Sequence, residues 1–383
     1  MQIKNKKISI CFVMPQTYIY FNESVRGKGG GAEKIGYILS TELSKNDEFE
    51  VNYCVADYDQ PEKEIRNNVN LWKIKSQKSS KLFNFFKFLK TIKSIHSDIY
   101  IFGGSGVDSG FANIATKILL RKKTLYMLMH DSEISFSESR KIIGIPGAIV
   151  MSLVYRINNV ITTQTEYQKQ AFTENRNLKV KSIVRNIIDL TNIQSIPNSG
   201  RDKTIWVCRC ERWKQPEVFL NLATRYKTEK FVMVCSQSTE KEYWNEIKSK
   251  AKNISNLEFY DYLPNTELAK QYKFAKIFVN TSTAEGFSFA MMEAMAVNCT
   301  VLTYNANPDF FIDKYKTGFC ANGNLKDFFD KFELLSSSET ELKETGNNAR
   351  KYLEDYHSIP NIIQSYKDLI YDIVDPIMNK NKQ

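Results

Sequence analysis

The chain has 383 residues, 42% of them hydrophobic and 13% aromatic, with a formal net charge of +10. That length accommodates two domains, and that apolar content supports packed cores and excludes a disordered chain. The positive balance favours acidic partners, among them nucleotide diphosphates, anionic lipids and nucleic acid.

From the start of the chain, Met1–Lys7 is basic, but the apolar run Ile8–Met14 is short and turns polar at Gln16. It reads as a first buried strand rather than a secretory signal. Further apolar runs at Glu50–Ala56, Asp98–Phe102, Thr124–His130 and Val160–Thr163 read as strands. Helical periodicity lies between them near 32–45, 81–96, 109–120, 147–157 and 165–174. The alternation predicts an α/β domain built on a parallel sheet with crossover helices. A polar, turn-rich break follows at Ile196-Pro-Asn-Ser-Gly-Arg-Asp202. The alternation then restarts, with strands expected at 204–210, 231–235, 257–262, 277–280 and 301–304. Helices are expected near 215–227, 239–251, 265–273, 288–296, 324–337 and 339–356, with a last one over 360–377. The expected organisation is two doubly wound parallel-sheet (Rossmann-like) domains, 1–196 and 197–359, facing a cleft, with residues 360–383 carrying the final helix. No stretch reaches the ~18 apolar residues of a membrane-spanning helix. The apolar segment Ile142–Tyr155, interrupted by Pro146, reads as a core helix or an interfacial segment. The seven cysteines are scattered, with no Cys-x2-Cys pair. Cys208 and Cys210 share one strand face but have no matching His/Cys pair, so free thiols in a reducing cytosol are expected rather than a zinc site.

Several segments carry chemistry. Gly29-Gly30-Gly31-Ala-Glu-Lys opens the first long helix, where glycine allows close backbone approach and a helix start favours anions. It lacks the Gly-Lys-Ser/Thr of a Walker loop. The ~15-residue loop before it also fits a dinucleotide fingerprint poorly. Asp57-Tyr-Asp59 has the form of a metal–nucleotide motif but stands before Gln60-Pro61 and reads as an exposed turn. Arg66–Ser97 holds eight basic residues and no acidic one. Within it Leu82, Phe85, Phe86, Leu89 and Ile92 fall on one helical face, with Phe83 and Phe88 beyond it. Such a helix over 81–96 either packs on the sheet or lies on an anionic membrane. His130-Asp131 ends a strand, at the edge where parallel sheets meet ligands. Arg209 and Lys214 follow the first strand of the second domain, in Cys208-Arg-Cys-Glu-Arg-Trp-Lys214. Two cations there can hold and neutralise an anion. Finally, Glu285-Gly-Phe-Ser-Phe-Ala-Met-Met-Glu293 sets two carboxylates eight positions apart after a strand, with Ser288 as a helix cap.

This last segment resembles the Glu-x7-Glu signature of retaining glycosyltransferases with the GT-B fold, especially glycosyltransferase family 4 (glycosyl transferases group 1). Arg209 and Lys214 are similar to the basic pair of the family's Gly-Arg-x4-Lys segment. Gly30 and Gly31 are similar to its Gly-Gly-Ala-Glu element. Val160–Lys169 with Thr165, Ile183–Asp189 with Asn186, and Tyr260–Pro264 also resemble family segments. The resemblance implies the GT-B architecture, with the acceptor bound by the first domain, the donor by the second, and the last helix over 360–377 crossing back to the first. It also implies transfer of a sugar from a nucleotide diphosphate sugar, most often a UDP-sugar, to a glycan, glycolipid or protein hydroxyl. The implied roles are catalytic for Glu285, His130, Arg209 and Lys214. Donor contacts are implied for Gly30, Gly31, Arg209, Lys214, Tyr262, Phe287, Ser288, Phe289 and Glu293, with no metal and no cofactor beyond the nucleotide-sugar co-substrate. Cys208 replaces the family's Gly, Ser288 stands where Gly is frequent, and Asn305-Ala-Asn-Pro308 stands where Gly-Gly-x-Pro-Glu is frequent. A cytoplasmic protein, peripheral at the inner membrane face and working in cell-envelope polysaccharide or glycolipid synthesis, is the expectation. A nucleotide-sugar epimerase of the same fold, a nucleic-acid binder and a scaffolding protein are the alternatives. Nucleic acid is not expected as a partner, because the basic residues are dispersed and no reader module is recognisable.

Overall fold

A computed structural model describes residues 7–22, 24–25, 30–75, 80–283 and 285–374. Residues 1–6 of the basic start, Gly29 of the glycine run, 76–79 of the basic stretch and the end of the last expected helix lie outside these. The chain divides into two units. Unit 1 comprises Met1–Ile187 with Ile359–Gln383, and unit 2 comprises Ile188–Ser358. Residues 188–196, placed before the break in the sequence reading, therefore pack with unit 2, and the turn-rich 196–202 lies inside it.

Unit 1 is built on eight strands: β1 (Ile8–Val13), β2 (Phe49–Val55), β3 (Lys63–Arg66), β4 (Val69–Lys73), β5 (Ile99–Gly103), β6 (Lys123–Met127), β7 (Val160–Thr163) and β8 (Ser182–Ile183). Their order is β3-β4-β2-β1-β5-β6-β7-β8. All pairings are parallel except β3 with β4. β1, β2, β5 and β6 are almost wholly buried, which is why they appear in the sequence as continuous rather than alternating apolar runs. Unit 1 ends with the helix Ile359–Val374, which buries Ile362, Tyr366, Leu369, Ile370 and Ile373. The Tyr371 hydroxyl donates to Glu48 at 2.6 Å, and the Lys123 ammonium donates to the Ile373 carbonyl at 2.9 Å.

The helix Lys81–Ile95 buries part of the expected face, Phe85, Leu89 and Ile92, rotated toward Phe88 and away from Leu82 and Phe86. Phe88 and Ile92 enter the core with Phe85 and Leu89 against them, whereas Leu82, Phe83 and Phe86 are exposed. Apolar residues recur at both i+3 and i+4 in this run, so two overlapping stripes were available, and the sheet takes the one through Phe88. The helix expected over 147–157 runs instead from Phe136 to Ile157, with Gly144 at φ 69° and Pro146 marking a kink inside it.

Unit 2 has six parallel strands: β9 (Lys203–Arg209), β10 (Lys230–Ser236), β11 (Leu257–Tyr260), β12 (Ala275–Asn280), β13 (Thr300–Thr303) and β14 (Gly318–Cys320). Their order is β11-β10-β9-β12-β13-β14. Two apolar clusters fill its two sides. One is gathered around Phe278, Met292, Met295 and Leu353, the other around Trp206, Phe219, Phe231 and Phe332. From β9 the chain lays strands to one side, then returns at β12 and lays the rest to the other. The order reverses between β9 and β12.

Candidate functional site

Parallel sheets bind ligands beyond the carboxyl ends of the strands where the order reverses. In unit 2 that place lies between the loops following β9 and β12. The first loop makes a single 3-10 turn at Arg212–Lys214, and Gln215 at φ 46° redirects it into the helix Pro216–Arg225. Pro216 suits the first helical position, where no backbone donor is required. The second loop is tied to the first. The Thr281 hydroxyl donates to the Lys214 carbonyl at 2.5 Å and accepts from Trp206 Nε1 at 2.9 Å. The Thr283 amide donates to the Trp213 carbonyl at 2.9 Å.

These ties bring Lys214 and Glu285 together across 71 positions of sequence as an ion pair. The Ser282 hydroxyl donates to the same Glu285 oxygen at 3.0 Å. The Lys214 ammonium also lies 3.8 Å from the centroid of the Trp213 ring. The two charged side chains are only 8% and 14% exposed, so their attraction is little screened by water. A Cβ on Gly286 would meet nothing within 4 Å, so the space beside Glu285 is open. Cys208 lies at the foot of the pair. Burial pushes its thiol up to about 11, while the Lys214 charge pulls it back and the Glu285 charge adds to the rise.

The other expected residues have distinct placements. Arg209 is exposed at the end of β9, and its side chain makes no hydrogen bond or ion pair among the described residues. Ser288 caps the helix Phe289–Met295, accepting from the Met291 amide at 3.3 Å. That helix has only seven residues, so its end is a weaker anion site than the longer run expected from sequence. Glu293 lies on it and faces the buried Tyr272. Burial, and then the Glu293 charge, hold the Tyr272 phenol well above its ordinary range. The two carboxylates thus have different neighbours. Phe289 packs partly buried against the core. Phe287, expected among the donor contacts, is 6% exposed, its ring stacked on His357 at 4.3 Å and edge-on to Phe311 at 4.8 Å. Its ring belongs to the core because the turn after Gly286 directs it inward. Tyr262 is strongly exposed beyond β11.

In unit 1, Gly30 precedes the helix Gly31–Ser44, and its amide already donates to the Glu33 carboxylate at 2.9 Å. A Cβ at Gly30 would lie 3.0 Å from that carboxylate oxygen, the mobile end of a long side chain. Gly31 is exposed beside it. His130 is exposed beyond β6. Its Nδ1 accepts from the Ser132 amide at 3.0 Å, which leaves the neutral ring's proton on Nε2. Asp131 accepts from the Gln168 amide group at 2.8 Å. Thr165 caps the helix Glu166–Arg176 as expected from its position. Asn186 lines a small cavity with Met127, Thr163 and Tyr366. Beneath His130, Glu133 is buried and accepts from the Tyr126 hydroxyl at 2.6 Å, the Tyr155 hydroxyl at 3.1 Å and the Met129 amide at 3.0 Å. Asp57 accepts from the Asp59 amide at 3.1 Å and pairs with Lys73, the arrangement of a turn. Among the described residues no group of three or more His, Cys, Asp or Glu converges as a metal site would.

Sequence reasoning did not single out Trp213, Thr281 or Ser282. The available signal was position: Trp213 adjoins Lys214, and Thr281-Ser282 directly follows the wholly buried β12.

Residues 190–352 match the family described as Glycosyl transferases group 1. The chain is 20% identical over 358 residues to an uncharacterized glycosyltransferase of Haemophilus influenzae, covering 90% of this chain and 97% of that one. Among solved structures it is similar to a sucrose-phosphate synthase from Thermosynechococcus elongatus, with a TM-score of 0.77, 14% identity, and 95% and 98% of the two chains covered. It is likewise similar to Anabaena HepE in complex with UDP, with a TM-score of 0.69, 14% identity, and 96% and 100% covered. The fold is that of the GT-B glycosyltransferases.

Proposed function

The chain carries a glycosyl transferases group 1 domain and is a glycosyltransferase, and we propose that it is a retaining, metal-independent one that uses a UDP-sugar. The observation that carries this reading is the Lys214–Glu285 pair, fixed at the sheet's reversal point with Ser282 beside it and Arg209 exposed nearby. An arriving diphosphate takes over the Lys214 ammonium, and Arg209 adds a second cation. Together they offset the charge that grows on the leaving phosphate, the task a metal would otherwise perform. Glu285, released from full pairing, accepts hydrogen bonds from sugar hydroxyls, and Glu293 from the ribose. The sugar C1–O bond to phosphate breaks as the acceptor oxygen bonds C1 on the same face, and the acceptor's proton passes to the leaving phosphate. Uridine is favoured because UDP accompanies similar structures, including HepE and the Staphylococcus aureus TarM complex. The donor belongs to unit 2 and the acceptor, a glycan, glycolipid or protein hydroxyl, to unit 1. His130 contributes there to positioning. The basic helix 81–95 sets the enzyme against an anionic membrane on the cytoplasmic side, which suits synthesis of a cell-envelope polysaccharide or glycolipid.

The test is a thermal-shift panel of UDP-, GDP- and ADP-sugars, with and without EDTA, on wild type, Glu293→Ala and Lys214→Ala. An EDTA-insensitive upward shift with UDP-sugars alone, lost in both variants, is expected, with turnover in Lys214→Ala reduced by ~10²–10³-fold. No shift with any nucleotide sugar removes the donor-site reading. Conversion of the donor without an acceptor would make the protein an epimerase.

A further inference from the structure

Three helices of unit 1, Lys81–Ile95, Val107–Ile114 with its continuation Ala115–Leu119, and Phe136–Ile157, pack on one apolar cluster on the same side of the sheet. The second and third are in tight contact: a Cβ on Gly110 would meet Val150 Cγ1 at 2.5 Å. From Ile142 to Val154 the third helix has no charged residue, and Ser152 is its only polar one. Its core-facing row of Ala148, Met151 and Val154 is buried, yet the opposite row is equally apolar. Ile142, Ile145 and Ile149 are 67%, 59% and 58% exposed, and Leu153 continues the row one turn on. A helix apolar on all sides normally lies in a core or a membrane. Exposed Phe111, Ile118 and Leu119 on the neighbouring segment and Phe83 and Phe86 on the first helix carry the apolar surface across all three elements.

We propose that this surface is a bilayer-binding face selective for anionic lipid, led by the kinked segment Ile142–Leu153. It extends the membrane contact assigned above to the first helix and is independent of the donor-site reading. Charge decides the occupant. The segments 81–95, 107–122 and 136–157 carry ten Lys and Arg against two acidic residues, Asp108 and Glu138. Lys90, Lys93, Arg121 and Arg140 are among the exposed cations. Such a face repels a second copy of itself, whereas anionic headgroups neutralise the cations while the apolar row enters the acyl boundary. None of the described helices is long and apolar enough to cross a membrane, so the contact is interfacial. Ile142 and Ile145 lie on either side of the kink at Gly144, and both are exposed.

The experiment is sedimentation of the full chain with vesicles of phosphatidylcholine alone or with 30% phosphatidylglycerol. It compares wild type, the triple variant Ile142→Ser/Ile145→Ser/Ile149→Ser, and the triple variant Leu82→Ser/Phe83→Ser/Phe86→Ser. Expected is binding only to the anionic vesicles, weakened by added salt, with the first variant needing at least tenfold more lipid. Its thermal midpoint and its shift with nucleotide sugar should be unchanged. A second measurement stands if that variant fails to fold: Ile145→Trp should be quenched by brominated anionic lipid. Absence of vesicle binding, unchanged binding by the first variant together with absent quenching, or loss confined to the second variant overturns the proposal. So does a change of the first variant from dimer to monomer, which would assign the face to a second copy. Vesicle binding that persists while no nucleotide sugar binds would leave this surface standing and remove only the donor reading.

Discussion

At the scale of single residues, the donor-side loops of unit 2 act through charge held close and partly dry. Cys208 reports on that charge. Its thiol stands at about 11, mainly because of burial and partly because of the Glu285 carboxylate. Glu285→Gln removes the second contribution and lowers the thiol's pKa, so iodoacetamide should alkylate Cys208 several-fold faster at pH 8, read by peptide mass spectrometry. An unchanged rate would mean the pair does not act on the thiol. Glu133 in unit 1 behaves differently. Burial raises its carboxyl above the ordinary range, against hydrogen bonds from Tyr126, Met129 and Tyr155 that lower it. A carboxyl raised in the folded state contributes stability that is complete below its unfolded value, about 4.3, and is lost as pH rises through its folded value. The thermal midpoint of wild type relative to Glu133→Gln should therefore fall as pH rises from about 4. The cations and carboxylates were legible in sequence because their spacing to the strands is local. Trp213, Thr281 and Ser282 were not, because what they do depends on two loops distant in sequence becoming neighbours. The direction of the Phe287 ring was not legible, because a turn residue's side chain follows its backbone direction, which spacing does not specify.

Among the elements, central strands and most long helices were readable to within a few residues, the helix beginning at Phe136 excepted, because burial on both sheet faces leaves unbroken apolar runs between amphipathic helices. The omissions have physical causes. β3 and β4 form a short edge hairpin turned by Asn67 and Asn68, both at positive φ. Edge strands are half-wetted and carry charge, so their apolar signal is faint, although the Asn-Asn pair was itself a turn cue. β8 and β14 have two and three residues and too little length to register. One close approach between elements decides another outcome. The helix Glu339–Tyr356 lies on the turn before β13 so closely that a Cβ on Gly346 would fall 2.2 Å from the Asn298 carbonyl. Gly346→Ala would gain helix propensity on an isolated peptide, but here it must push backbone aside, and we expect a loss of about 1–3 kcal/mol. Chemical denaturation of the two proteins measures it, and a stabilised variant would contradict the packing described.

For the molecule as a whole, the division of the chain has unequal consequences. Unit 2 is continuous, whereas unit 1 is made from residues on both sides of it. A chain stopped after Ser358 loses Tyr366, Leu369, Ile370 and Ile373 from the core of unit 1. At about 2 kcal/mol for each large apolar side chain, that approaches the whole stability of a typical domain. Limited proteolysis of the shortened chain should therefore degrade unit 1 and spare a fragment spanning 188–358. Equal survival of both units would show the last helix to be dispensable. The two-domain reading followed from the repeated alternation, but the return of the last helix to unit 1 was expected from the family resemblance and not from periodicity, since an amphipathic last helix does not say which sheet it covers. It also sets a timetable. During synthesis, the whole of unit 2 is made before the closing helix of unit 1. The apolar face awaiting Tyr366 and Ile370 thus stays open until residues 359–374 arrive, so the first-made part of this protein is completed only after the second has been synthesised.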